Sequence, residues 1–137
     1  MGKVLGIDFG LKRTGLAITD SAQIIASPLD FVESGNLMAY LIDLIQKEKI
    51  EAIAVGLPMN LNNTPTDLTP NVYLLKEALE KQFIGLPVIL IDERFTSSMA
   101  LSSMISGGAS KKQRQTKGNV DKVSAAIILQ SYLEMRK

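Results

Sequence analysis

The chain has no cysteine, no histidine and no tryptophan, and aromatic residues are only 5% of its 137 positions. Without cysteine there is no disulfide framework, no thiolate nucleophile and no cysteine zinc site. Without histidine there is no Ser-His-Asp triad, no histidine general base and no histidine-held zinc or iron. The groups left for chemistry are carboxylates, Lys, Arg, Tyr, Ser and Thr, and carboxylate oxygens suit the hard cations Mg²⁺ and Mn²⁺. Long hydrophobic runs are missing too, since nothing approaches the ~18 uninterrupted apolar residues of a membrane helix. The first residues carry one early lysine and a short apolar run broken by Asp8, unlike a signal peptide. We expect a soluble, cytoplasmic protein with no membrane partner.

What is present points to one globular domain over residues 1–137, with 46% hydrophobic residues to build its core. The net charge of +1 hides a division. Residues 1–93 carry 7 basic and 12 acidic side chains, whereas residues 94–137 carry 8 and 2. Between Arg94 and Val120 there is no acid, but there are Arg94, Lys111, Lys112, Arg114 and Lys117. Such segregation suggests a polyanionic partner, and a solvated basic loop is the plainer alternative.

Hydrophobic patterning predicts strands over Lys3–Asp8, Gly15–Thr19 and Ile24–Phe31, joined by short hairpin connections. A helix over Asn36–Lys49 follows, with Asn36 available as its N-cap. Ala52–Gly56 and Val88–Asp92 read as strands buried on both faces. Between them lies a Pro- and Asn-rich loop over Leu57–Thr66, then a helix from Asp67 or Thr69 to Gln82, with Pro70 in its first turn. A helix over Thr96–Ser106, a basic loop over Gly107–Asn119 and a last helix from about Asn119–Asp121 to Met135 complete the pattern. The order is α/β with a mixed sheet.

Three places hold candidate chemistry. Asp8 follows apolar strand residues in Gly6-Ile7-Asp8-Phe9-Gly10, where desolvation calls for a cation or donor nearby; a simple turn-forming aspartate is the alternative. Asp92-Glu93-Arg94 stands where a strand gives way to a helix, and α/β sheets bind ligands beyond such strand ends. Adjacent strand residues point to opposite faces, so only one of the two acids is expected to reach a site; a helix-start charge cluster explains them equally simply. Asp121 opens a very apolar helix, where the helix dipole alone favours an anion. If Asp8, Glu93 and Asp121 converge, each like-charge pair at about 5 Å costs on the order of 3 kcal/mol. A divalent metal is the natural neutraliser, and two-metal phosphoryl-transfer sites are built this way.

The segments LGIDFGLKRTGLAITD at 5–20, VGLP at 55–58, DERFTS at 92–97 and VDKVSAAIILQSYL at 120–133 together resemble the YqgF/RuvX family of Holliday junction resolvases in the ribonuclease H-like superfamily. The resemblance spans nearly the whole chain. It implies a ribonuclease H-like fold: a five-stranded mixed sheet in the order 3-2-1-4-5, its first three strands antiparallel, with helices on both faces. It also implies a nuclease dependent on Mg²⁺ or Mn²⁺, leaving 3′-hydroxyl and 5′-phosphate ends. Asp8, Glu93 and Asp121 match its acids, Asp92 is a possible further ligand, and Arg13 and Arg94 match its phosphate-contacting positions. Lys111, Lys112, Arg114 and Lys117 would clamp the strand. Many ribonuclease H-like nucleases carry their second acid after strand four, but here that position reads Gly56-Leu57-Pro58, so Glu93 must serve from the next strand.

The implied substrates are the 5′ end of pre-16S rRNA, with ribosomal particles as possible partners, or branched DNA. A junction resolvase should be a homodimer and a ribosomal RNA processing enzyme can act as a monomer. A nucleic-acid-binding ribosome assembly module without catalysis is the main alternative. The Gly-Ile-Asp-x-Gly opening also occurs in actin-like and sugar-kinase-like ATPases, which need two such domains.

Overall fold

The structure is a computed structural model that describes residues 2–60, 62, 64–92 and 117–135, the last group without the side chains of 117–121. Strands β1 (Lys3–Asp8), β2 (Arg13–Thr19) and β3 (Ala26–Glu33) come first. A 3-10 turn (Ser34–Asn36) leads into helix α1 (Leu37–Lys47), followed by β4 (Ile50–Leu57), α2 (Thr69–Gln82), β5 (Val88–Asp92) and, after the undescribed segment, α3 (Lys117–Met135). The five strands form one sheet in the order β3-β2-β1-β4-β5. β1 pairs antiparallel with β2 and β2 with β3, while β4 lies parallel to both β1 and β5. This is the mixed sheet expected from the sequence.

Alternation along the strands divides the core in two. Leu5, Ile7, Leu16, Ile53, Val55 and Val88 face α1 and α2, where Leu37, Leu41, Val72 and Leu79 cover them. Val4, Ala17, Ala52, Ala54 and Ile91 face the other way and meet Ala125, Ile128 and Leu129 of α3. The second layer is built from small residues, so α3 lies close to the sheet. Gly6 allows the closest approach: a Cβ there would stand 2.8 Å from Leu129 Cβ and 2.9 Å from the Ala125 carbonyl oxygen. The helix runs antiparallel to β1, because Gln130 near its C-terminus accepts from the backbone N–H of Ala26, at the start of β3, at 3.1 Å.

Several boundaries differ from the sequence reading. β3 begins at Ala26 because Ile24 and Ile25 belong to the preceding turn, where both backbone N–H groups donate to Asp20 Oδ1 at 2.9 Å and Gln23 takes φ 58°. It extends to Glu33, which pairs with Arg13, so β2 also starts two residues earlier than expected. Pro28 sits on this outer strand beside the register shift at Leu16/Ala17, a location where a missing N–H does least harm. Asn36 precedes α1, but its side chain makes no capping hydrogen bond. At φ −103° and ψ 3° it continues the 3-10 turn, away from the extended conformation a cap requires. α1 ends at Lys47, with the Glu48 N–H closing on Leu44 O at 2.8 Å. α3 starts at Lys117, inside the stretch expected to be loop, and the helix expected over Thr96–Ser106 lies outside the described residues. No helix among the described residues is long and apolar enough to cross a membrane.

Candidate active site

Asp8 is the last residue of β1, half-buried at the strand's carboxyl end. Its face follows from the pairing. Gly6 lies opposite Ala17 and Asp8 opposite Gly15, so both belong to the side of the sheet that α3 covers. The Ala125 carbonyl abuts Gly6. From there, two strand residues lead roughly 6.6 Å to Asp8, and one helical turn back to position 121 covers roughly 6 Å. Because α3 runs against β1, the helix backbone at position 121 comes level with the end of β1. The close fit at Gly6 thus determines how near the first turn of α3 comes to the end of β1.

Arg13 is brought to the same place by the turn between β1 and β2. That turn is tight: a Cβ on Gly10 would come within 2.5 Å of the Arg13 carbonyl oxygen. Ser34 fastens it from the end of β3, donating its hydroxyl to Gly10 O at 2.5 Å and its backbone N–H to Lys12 O at 2.9 Å. The Ser34 hydroxyl also meets the buried Thr14 hydroxyl at 2.8 Å. Arg13 shares the α3 face with Gly15 and Ala17, two and four residues further along β2. Beside it opens a depression of about 600 Å³ lined by Lys12, Arg13, Phe31, Glu33 and Gly35.

Asp92 is placed differently. It pairs with Leu57, and Leu90 two residues earlier packs into the α1/α2 layer, so Asp92 lies on the face opposite Asp8. Glu93, Arg94, Lys111, Lys112 and Arg114 lie outside the described residues, and for Asp121 and Lys117 only the helical backbone is described. Among the described residues no three acidic side chains lie together as a metal cage. Asp8 ends β1 on the α3 face, with Glu33 two strands away at the same end of the sheet; the Asp8 carboxylate is a hard oxygen donor of the kind Mg²⁺ or Mn²⁺ takes.

Two residues not singled out from sequence stand here. Phe31 is the partner of Gly15, one strand beyond Asp8, and Lys122 of α3 holds its ammonium 5.8 Å from the Phe31 ring centroid. An aromatic residue at a strand end looks like core in sequence. Only the register, which puts it in Asp8's row, reveals the association.

The sheet order, the crossing of α3 over β1 and an acid at the carboxyl end of the first strand define a ribonuclease H-like fold. Solved structures agree: Thermus thermophilus RuvC in complex with a Holliday junction substrate superposes with TM-score 0.61 at 20% identity, covering 99% of this chain and 96% of that one. The fowlpox virus resolvase in complex with Holliday junction DNA gives 0.63 at 13% identity, over 98% of both chains. The chain belongs to the family described as "RuvX: Holliday junction resolvase", which matches residues 2–135. Relatives bearing the name "Putative pre-16S rRNA nuclease" include those of Phocaeicola vulgatus, 44% identical over all of this chain and 99% of that one, and Parabacteroides distasonis, 44% identical over all of this chain and 98% of that one. A third, from Flavobacterium johnsoniae, is 43% identical over all of this chain and 99% of its own.

Proposed function

We propose that this nuclease is a divalent-metal-dependent endonuclease that trims the precursor of small-subunit ribosomal RNA in the cytoplasm, within one domain. The observation that carries the reading is the position of Asp8: at the carboxyl end of the central strand, on the α3 face, level with the first turn of α3. Asp8, Glu93 and Asp121 would hold Mg²⁺ or Mn²⁺. Asp92 lies on the other face, and of the Asp-Glu pair the ligand role is assigned to Glu93. When bound, such ions activate water and neutralise the leaving oxygen in phosphoryl transfer.

The protein's own groups do the rest. Arg13, Arg94 and the basic side chains Lys111, Lys112, Arg114 and Lys117 neutralise the phosphate backbone and set the register of the strand. The rigid turn stapled by Ser34 keeps Arg13 fixed relative to Asp8, so the scissile phosphate is held rather than sampled. RNA is preferred over branched DNA because the relatives sharing 41–44% identity over nearly the full chain carry the rRNA nuclease name, whereas the junction-bound neighbours share only the fold.

The test is cleavage of a labelled small-subunit rRNA precursor and a labelled four-way DNA junction, with and without Mn²⁺, by the protein and its Asp8→Asn variant. Metal- and Asp8-dependent cleavage of the precursor is the expected result. Cutting of the junction alone would transfer the assignment to DNA, and binding of both without cleavage would make the protein an assembly factor.

A further inference from the structure

Phe31 is an aromatic side chain left 39% exposed on the outer strand β3. It lies in the same cross-sheet row as Asp8, with Gly15 between them, which separates the two residues by two strand spacings, roughly 10 Å. It lines the depression shared with Lys12, Arg13, Glu33 and Gly35. Lys122 approaches the same ring from α3. Cations bordering an exposed aromatic face are the means by which proteins hold a single strand without reading its sequence: the ring stacks a base and the cations take its phosphate.

We propose that this depression is a binding subsite for one unstacked nucleobase of the substrate strand, adjacent to the phosphate that is cut. The base lies against Phe31, its phosphate meets Arg13, Lys12 and Lys122, and the Glu33 carboxylate accepts an N–H from the base edge. Glu33 repels phosphate, so it also orients the nucleotide with its base inward and its backbone toward the basic side chains. Gly35 carries no side chain at the lip. The subsite requires the strand to be unpaired beside the cleavage point, which selects single-stranded segments flanking structure over continuous duplex. The proposal rests on the nuclease reading above and adds to it where the substrate is gripped.

The chain has no tryptophan, so a Phe31→Trp variant carries a single indole, placed in the subsite and excited selectively at wavelengths that tyrosine does not absorb. Titration with a short single-stranded RNA should quench its emission, while a fully abasic strand of equal length and charge should bind without quenching. Against the base-bearing strand, Phe31→Leu should lose roughly five- to hundredfold in affinity, the loss typical of one stacked base, and Phe31→Tyr should restore most of it. Circular dichroism confirms folding, and if the tryptophan variant fails to fold, the affinities of Phe31→Leu and Phe31→Tyr decide. Equal affinity of the parent for base-bearing and abasic strands, or an unchanged affinity in Phe31→Leu, overturns the subsite. The two readings fail separately. Quenching with no cleavage of any substrate would retain the subsite and remove the nuclease, whereas cleavage that needs Asp8 but ignores Phe31 would do the reverse.

Discussion

Leu129 of α3 packs directly onto Gly6 of β1, so closely that a Cβ on the glycine would lie 2.8 Å from the leucine's own Cβ. The Ala125 carbonyl closes the same space from the helix backbone at 2.9 Å. The Ala125 contact lies two residues before Asp8 on β1 and one turn after position 121 on α3, so it governs how closely the helix backbone approaches the end of β1. A strand residue without a side chain therefore bears on the proposed site through packing alone.

Gly6→Ala should destabilise the protein by about 1–3 kcal/mol, the usual cost of inserting a methyl into a filled core. One obstacle is helix backbone, which cannot rotate away as a side-chain tip can. Urea unfolding should show an earlier midpoint at an unchanged slope. Cleavage by the folded fraction should also fall, because α3 must lift away from β1. A Gly6→Ala protein with parental stability and activity would show that α3 docks more loosely than the structure has it.

The inner strands are readable because β1, β4 and β5 are largely apolar and pack into both layers, and β1 and β5 have the bounds the sequence predicts, while β4 runs Ile50–Leu57, beyond the expected Ala52–Gly56 at both ends. The outer strand was harder to read. Ile24 and Ile25 are as apolar as any strand residue, yet the Asp20 side chain draws their N–H groups into a turn. A local side-chain bond outweighed hydrophobicity there, leaving both isoleucines exposed. Asp8 stands out in the sequence as a candidate because an acid ends an apolar strand, whereas Arg13 is singled out for phosphate only through the family resemblance. Phe31 and Lys122 do not stand out, since their association depends on the β2–β3 register and on the depth at which α3 crosses the sheet.

Arg13 is expected to act through charge. Replacing it with glutamine should weaken binding to single-stranded RNA at low salt. The slope of log affinity against log salt should fall by about 0.7, the value for one phosphate that is no longer neutralised on a single strand. Binding isotherms at several salt concentrations measure this directly. An unchanged slope would mean that Arg13 touches no phosphate and serves only the turn that Ser34 fastens.

At the far end of the sheet Glu51 ties down the start of the chain. It accepts from the Gly2 backbone N–H at 2.7 Å and from Gln23 Nε2 at 2.7 Å. These bonds, Gly2 first and Gln23 second, hold its carboxyl below the ordinary value of 4.5. A group whose folded-state pKa is depressed contributes stability that is complete above its unfolded pKa and is lost as pH falls through the folded one. The contribution should therefore be whole at neutral pH and fade below about 4.5. Glu51→Gln should lower the thermal midpoint slightly at pH 7 and flatten its decline in acid. Parallel curves for the two proteins between pH 7 and pH 3 would remove Glu51 from the account.

The two aspartates that end β1 and β5, on either side of β4, give the sharpest contrast. Asp8 lies on the α3 face, whereas Asp92, paired with Leu57, lies on the opposite one. Asn is nearly isosteric with Asp but carries no charge, so it tests the carboxylate without disturbing packing. Residues that merely support metal ligands cost 10–100-fold in activity when replaced, and a ligand itself should cost at least the upper end. Asp8→Asn should therefore lower cleavage by about a hundredfold or more, while binding of RNA in the absence of metal stays close to parental. Asp92→Asn should keep most of the cleavage, since its side of the sheet is covered by α1 and α2. Single-turnover rates across a Mn²⁺ titration would measure both, because a weakened ligand set is partly rescued at high metal and a displaced strand is not. Loss of cleavage in Asp92→Asn equal to that in Asp8→Asn would place the metal beyond the edge of the sheet, within reach of both faces, and would move the site away from the first turn of α3.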